Sequence, residues 1–457
     1  MKRETFSSKL GFILSTAGCA IGLGNIWRFP YITGKYGGAL FVILYLGTIF
    51  LICIPLISIE LSIGRGSKQS PACAFAVLEP TGTKWHKFGK FLILANYVTI
   101  FYYTVICSWI IYFIIAISTG KLNLSAQVDS ASAGRFYQSM LSNPGPMLLL
   151  TILVILSGFA ICKFGLQKGV ERFSKYLILG LFVLLFFLII YSFRLPGSSE
   201  GIEFYLKPNL NAVSKYGFPT ILNAAMAQAF FSIGIGAGSL VVFGSYASSE
   251  HSTFSSSFYI VFLDSAVAVM AGLIIFPACF AFHISPDSGP SLLFITMPTV
   301  FSHLPQGTLW CLLFFIALFL AAYTSVISFF ECNIICCIDM FHWNRWKSIT
   351  VNIIITVVCT LPCIFGFNLL NEIHPLGSGT TILDFEDFVV SQNLIPLSAL
   401  LYLIFAISKR GWGWKKTIRE INKGEGLHMP ELYRYYCTFA LPVIIIFILV
   451  SGYCMKP

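Results

Sequence analysis

Eleven apolar runs of about bilayer length constrain this chain more than any other feature of its sequence. A hydrocarbon core about 30 Å thick takes roughly 20 helical residues to cross. The runs lie at about residues 9–34, 39–62, 88–117, 147–163, 172–193, 219–247, 256–282, 308–339, 347–369, 386–408 and 435–454. Lipid offers the backbone no hydrogen-bonding partner, so segments of this kind cross it as helices. The expectation is an all-α polytopic membrane protein of about 11 transmembrane helices, a single domain over residues 1–457. Composition agrees: 11% of residues are charged, where soluble domains carry about 25%.

The formal net charge is +10. Its basic residues are spread through short segments between the runs rather than gathered in a patch, which argues against a nucleic-acid partner. With the N-terminus inside, the N-terminal segment and residues 65–90, 163–175, 248–255, 340–347 and 409–434 hold 21 of the 29 Lys and Arg residues. That is the excess expected of the cytoplasmic side. It predicts a multi-pass protein of the plasma (inner) membrane with a cytoplasmic N-terminus and an external C-terminus, which leaves Lys456 outside as a minor violation of the rule. Loops 118–146, 194–218 and 283–307, rich in Gly, Pro, Ser and Asn, then face outward and are candidate lids.

Most of the fourteen cysteines lie inside apolar runs, as do Cys332, Cys336 and Cys337, and read as small buried hydrophobes rather than disulfide or metal ligands. The start resembles a cleaved signal with a lipidated Cys19, but Thr16 stands where such sites want Leu and the apolar pattern continues through Trp27. The segment is expected to be retained. Gly197-Ser-Ser199-Glu-Gly201 matches a nucleophile elbow, yet it follows a membrane helix instead of a strand. With no H-x-x-x-H pair and no nucleotide-binding loop, an enzyme is not expected.

Two runs are interrupted at their centres by glycine: Gly18-Cys-Ala-Ile-Gly22-Leu-Gly24-Asn25 in the first and Ser232-Ile-Gly234-Ile-Gly236-Ala-Gly238 in the sixth. Broken helices at corresponding places of two halves point to a secondary transporter with a midplane site. Unwinding frees carbonyls for a cation and leaves half-helix N-termini for an anion such as a carboxylate. Glycine packing alone is the competing explanation. Glu60, Asp264 and Glu331 fall inside apolar runs, where a charge costs about 2.5–3.5 kcal/mol on insertion scales and so marks either function or a structural partner.

The run Gly18-Cys-Ala-Ile-Gly-Leu-Gly-Asn-Ile-Trp-Arg-Phe-Pro30 resembles the first-helix signature of the neurotransmitter:sodium symporter family, bacterial amino-acid branch. Pro55 to Glu60 with Gly64-Arg65, Gly165 to Phe173, Gln228 to Ser232, Ala321 to Ser325 and Asp384 to Asp387 look like further landmarks in the same order, so the resemblance spans residues 1–410. It implies two inverted five-helix repeats, about 9–193 and 219–408, with discontinuous first and sixth helices and an extra C-terminal helix at about 435–454.

By position, the resemblance implies one sodium held by Gly18, Ile21, Ala321, Thr324 and Ser325, and a second by Ala20, Asn25, Ser232, Asp264 and the substrate carboxylate. Hydroxyls bonded back to their own helix are the structural alternative for Thr324 and Ser325. Substrate contacts would come from Ala20, Gly22, Gly24, Thr99, Tyr103, Phe231, Ser232, Gly234, Ala237, Ser325 and Phe329. Gates would pair Arg28 with Asp387 outside, and Arg3 with Asp339 and Tyr246 inside. A proline common in bacterial members of the family is replaced by Leu179, with Gly180 as a possible substitute for unwinding.

The function implied is sodium-coupled symport of an amino acid into the cell, with a non-transporting sensor or channel on the same fold as the alternative. Amine-transporting relatives carry an aspartate where this chain has Gly22, so the substrate is expected to bring its own carboxylate. Gly234 and Ala237 are small and favour a hydrophobic or aromatic side chain. Chloride is not expected to be required: the leucine-selective relative's acidic residue aligns with Ala268, but Asp264 stands one helical turn earlier.

Overall fold

The computed structural model describes residues 3–124, 128–284 and 292–454; Lys456 and parts of loops 118–146 and 283–307 lie outside the described residues. The regular structure among the described residues is helical, with one isolated bridge between His251 and Glu425. The first apolar run is a bent pair, α1 (Lys9–Ala20) and α2 (Gly24–Lys35), meeting at 57°. Nine helices among the described residues are long and apolar enough to cross a bilayer. They are α3 (Ala39–Ser67), α4 (His86–Ser118), α5 (Pro144–Lys163), α6 (Leu166–Phe193), α9 (Thr253–Ala281), α10 (Gly307–Phe341), α11 (Arg345–Phe365), α12 (Ile382–Ile407) and α13 (Tyr433–Tyr453).

The sixth run differs from a single span. It is two helices, α7 (Phe218–Ile233) and α8 (Ser239–Tyr246), of 16 and 8 residues. Neither reaches bilayer length alone, because the chain leaves helical geometry at Gly234, Gly236 and Gly238, all at positive φ.

Prolines also shape the helices. Wide π-type turns at Gly24–Arg28, Ile49–Cys53, Leu292–Thr296, Val389–Leu394 and Tyr436–Ala440 each end two residues before a proline: Pro30, Pro55, Pro298, Pro396 and Pro442. Proline has no N–H to donate and its ring crowds the carbonyl one turn back, so a widened turn lets the helix continue. By contrast, α6 runs without interruption through Leu179 and Gly180. The unwinding raised for that position is not part of this structure, and Leu179 is an exposed apolar residue, 49% accessible.

Two helices approach backbone to backbone. A Cβ on Gly64 of α3 would lie 1.9 Å from the Val241 carbonyl oxygen of α8, and one on Gly244 would lie 2.3 Å from the Leu61 carbonyl oxygen. The second half of the broken sixth run, α8, and the end of α3 therefore form one tightly packed unit.

The segments assigned to the cytoplasmic side by charge share one face. There the N-terminal segment is tied down by Ser7 N to Glu171 Oε2 (2.9 Å), Leu166 N to Glu4 Oε2 (2.7 Å) and Gln167 Nε2 to the Thr5 carbonyl (2.8 Å). At the opposite face, Ser130–Leu141 packs on Leu292–Ser302 with the Tyr137 and Phe294 rings stacked at 5.4 Å.

Candidate functional site

The break between α1 and α2 leaves backbone groups that the sequence itself provides for. Asn25, the second residue of α2, turns its Oδ1 back to accept the Gly22 N–H at 3.0 Å. The Tyr103 hydroxyl, from α4, accepts the Leu23 N–H at 3.1 Å, leaving its own proton to donate. Gln228 Nε2, from α7, donates to the Gly24 carbonyl at 2.9 Å.

Asn25 also anchors a buried polar cluster. Its Nδ2 donates to Asp264 Oδ1 (2.8 Å), to the Asp264 carbonyl (2.9 Å) and to Ser232 Oγ (3.1 Å). Ser232 donates to Asp264 Oδ2 at 2.9 Å, and Tyr45 donates to Ser232 at 3.3 Å. Asn25 and Asp264 are fully buried. A carboxylate so placed needs hydrogen-bond donors or a cation to offset desolvation.

A second group of oxygens lies on the other side of α1. Ser325 Oγ, from α10, donates to the Ile21 carbonyl at 3.0 Å and approaches the Gly18 carbonyl at 3.5 Å. Thr324 bonds back to the Ala321 carbonyl at 2.8 Å, as the structural alternative anticipated for it, while Ser325 reaches across to the break. A Cβ on Gly18 would lie 3.4 Å from Thr324 Cβ, so all five residues of this group are neighbours.

Between the two groups lies a cavity of about 50 Å³. Ala20, Gly22, Gly24, Thr99, Tyr103, Phe231, Ser232, Gly234, Ala237, Ser325 and Phe329 line it, which brings every expected substrate contact into one space. Cys19, Leu23, Tyr102 and Ile395 line it too and were not anticipated. Tyr102 and Leu23 adjoin expected residues in sequence, whereas nothing local to Ile395 in α12 announces it.

The two expected gates are built differently. On the face of the N-terminal segment, Arg3 Nη1 pairs with Asp339 Oδ1 at 2.8 Å, Arg3 Nε donates to Ser245 Oγ at 2.9 Å, and the guanidinium lies 5.1 Å from the Tyr246 ring centre. Asp339 Oδ2 accepts the Ser70 N–H at 2.6 Å. On the opposite side of the cavity the pairing expected of Arg28 and Asp387 is not a contact ion pair within 4.0 Å among the described residues. Arg28 stacks over the Phe231 ring at 4.2 Å, and its charge and that of Asp387 act on each other only at longer range. The ring face supplies the nearer partner for the cation.

The remaining buried acids acquire partners that the sequence alone leaves open. Glu60 Oε1 accepts the Gly236 N–H at 2.8 Å, satisfying the sixth-run break. Glu331 accepts the Tyr246 hydroxyl at 2.7 Å and is ion-paired with Arg345.

Comparison with known proteins gives a single result along the whole chain. The profile of the Sodium:neurotransmitter symporter family matches residues 3–138 and 123–456. An uncharacterized sodium-dependent transporter of Haemophilus influenzae is 32% identical over 99% of this chain and 98% of its own. The sodium-dependent transporter YhdH of Bacillus subtilis is 32% identical over 98% of both chains. Among solved structures, MhsT in complex with L-phenylalanine superposes with a TM-score of 0.87 at 33% identity, over 98% of this chain and 100% of that one. The chain belongs to the sodium:neurotransmitter symporter family, a family of sodium-dependent membrane transporters and not of enzymes.

Proposed function

We propose that this chain is a sodium-coupled symporter that imports an amino acid with a hydrophobic or aromatic side chain by alternating access. The observation that carries the reading is a small cavity lined by both chain breaks and flanked by two groups of buried oxygens. Oxygen-only donors suit a hard monovalent cation, and the Asp264 carboxylate suits a cation close to the substrate. The Tyr103 proton and the N–H groups at the start of α2 favour a substrate carboxylate. Phe231, Ala237, Phe329 and Ile395 favour an apolar side chain, and the space beside Gly234, where a Cβ would meet nothing within 4 Å, gives it room. MhsT, with its bound L-phenylalanine, is consistent with this class.

Ligand sites usually enclose about 300–1,000 Å³, so a cavity of about 50 Å³ is a closed arrangement that must open to load or release. Two sodium ions crossing with a zwitterion would gain about 4.6 kcal/mol per 100 mV, enough for a concentration ratio above ~10³. In this reading Asp264 replaces chloride as counter-charge, and the face bearing the N-terminal segment is cytoplasmic. The test is competition by the twenty common amino acids against labelled L-phenylalanine in proteoliposomes with an inward sodium gradient. Saturable, sodium-dependent accumulation with preference for apolar side chains is expected; binding without accumulation would instead indicate a sensor.

A further inference from the structure

The segment between α12 and α13 does more than connect them. Residues 409–432 fold back as a strap whose start is fixed to α12 by Trp412 N to the Phe405 carbonyl (2.9 Å) and Thr417 Oγ1 to the Ala406 carbonyl (2.9 Å). Its loop is closed on itself by Asn422, which accepts Met429 N at 2.7 Å and donates to the Met429 carbonyl at 3.0 Å.

The other side of the strap grips the unit formed by α3 and α8. Arg65, near the end of α3 and with a side chain only 1% exposed, pairs with Glu420 Oε1 at 2.7 Å and donates to the Glu420 carbonyl. It also donates to the His251 carbonyl at 2.7 Å, in the connector that follows α8. That connector is stitched to the strap by backbone bonds, Glu425 N to the Glu250 carbonyl (2.7 Å) and Ser252 N to the Glu425 carbonyl (2.9 Å). At Gly424 a Cβ would lie 2.5 Å from the Glu250 carbonyl carbon, so the approach depends on glycine.

Because Gly64 and Gly244 join α3 and α8 backbone to backbone, a grip on Arg65 and on residues 247–252 is a grip on one body. The same body carries Ser245 and Tyr246, which meet Arg3 and Glu331. A cavity of about 270 Å³, lined by Thr5, Ser7, Arg65, Ser248, His251 and Ser256, separates the strap's contacts from the N-terminal segment. The two closures border the same space without touching through these residues.

We propose that residues 409–432 are a second latch on this face, with Glu420 as the positioning residue, tying α3 and α8 to α12 and α13 so that opening toward this side requires the strap to release. The latch rests on the alternating-access reading above. Its ion pair is largely buried, so removing one partner leaves a charge without compensation and weakens the closed arrangement specifically.

The experiment is hydrogen exchange on the full chain in lipid nanodiscs in sodium buffer, comparing native protein with Glu420→Gln and Gly424→Ala. Each variant is expected to raise exchange roughly tenfold at residues 247–252 and also at segment 3–8, to which no hydrogen bond or ion pair among the described residues joins the strap. L-Phenylalanine binding at saturating sodium should stay within about twofold while uptake falls. Faster exchange confined to 409–432 and 247–252, with 3–8 and uptake unchanged, would mean that the strap is only structural and would overturn the proposal. If Gly424→Ala does not fold, Glu420→Gln decides alone. If native protein binds no amino acid, the substrate reading fails while the exchange comparison still tests the latch.

Discussion

The two chain breaks look alike in sequence and are solved differently in space. In the first, Gly22 is held small by close approach: a Cβ there would lie 2.5 Å from the Tyr103 hydroxyl and 2.9 Å from Ser325 Oγ. In the sixth, glycine is needed for conformation, with Gly236 at φ +90°. The freed backbone groups are satisfied differently as well. The first break leans on Asn25, Tyr103 and Ser325, which belong to the cavity or to its oxygen groups. The sixth leans on Glu60, which does not line the cavity. In the function proposed above, the first break is a binding element whose partners can be exchanged for ligand, and the other is a bend that shapes the wall.

Substitutions at the two breaks separate these roles. The largest effect is expected at Gly236→Ala. A left-handed backbone costs an ordinary residue about 1–2 kcal/mol and overpacking a further 1–3 kcal/mol, and the added Cβ would sit 2.4 Å from the Ile395 carbonyl oxygen. A fall of several degrees in Tm, or failure to fold, is expected; an unchanged melting curve would contradict the conformational role.

Gly22→Asp should fold but lose amino-acid uptake by about 100-fold, roughly 2.7 kcal/mol, because its side chain displaces Tyr103 and Ser325. Uptake of L-phenylalanine at saturating sodium measures this, and retained uptake would show that the close approach is dispensable. Asp264→Asn comes next. Native uptake should be equal in sodium gluconate and sodium chloride, while the variant should lose about tenfold in gluconate and recover in chloride, an electrostatic difference of about 1.4 kcal/mol. A native protein that stops without chloride would reverse the assignment of Asp264.

Ala237→Phe should narrow the cavity and reduce uptake of tryptophan and tyrosine several-fold more than that of alanine and glycine; equal losses across the series would separate Ala237 from the side-chain pocket it lines. The smallest effect is expected at Gly234→Ala, which shares a positive φ of +66° but meets nothing within 4 Å. Its cost to stability should be about 1 kcal/mol of backbone strain, read as a small drop in Tm below that of Gly236→Ala.

Much of this was legible in the residues. Apolar run length located the helices, because a bilayer sets one length for every crossing, and the paired glycine interruptions mark the two segments that line one cavity. Asn25 and Ser232, polar residues at the edges of those interruptions, do meet at Asp264. Five of the six widened turns among the described residues end two residues before a proline, whereas the one at Leu166–Glu171 has no proline there and was not readable in this way. The partners of Glu331, Glu60 and Arg65 were not readable. Arg65 and Glu420 stand 355 positions apart, and no periodicity or motif connects them.

The sequence by itself determined that the chain crosses the membrane many times, where it must break, and which residue types gather at the breaks, since each of these follows from local chemistry in a solvent that supplies no hydrogen bonds. Only the tertiary structure decided which buried charge meets which partner: Arg28 resting on Phe231 instead of in contact with Asp387, Glu331 on Arg345 and Tyr246, and the strap on α3 and α8. A buried charge takes whichever compensating group helix packing brings within a few ångströms, and that choice is made between segments far apart in the chain.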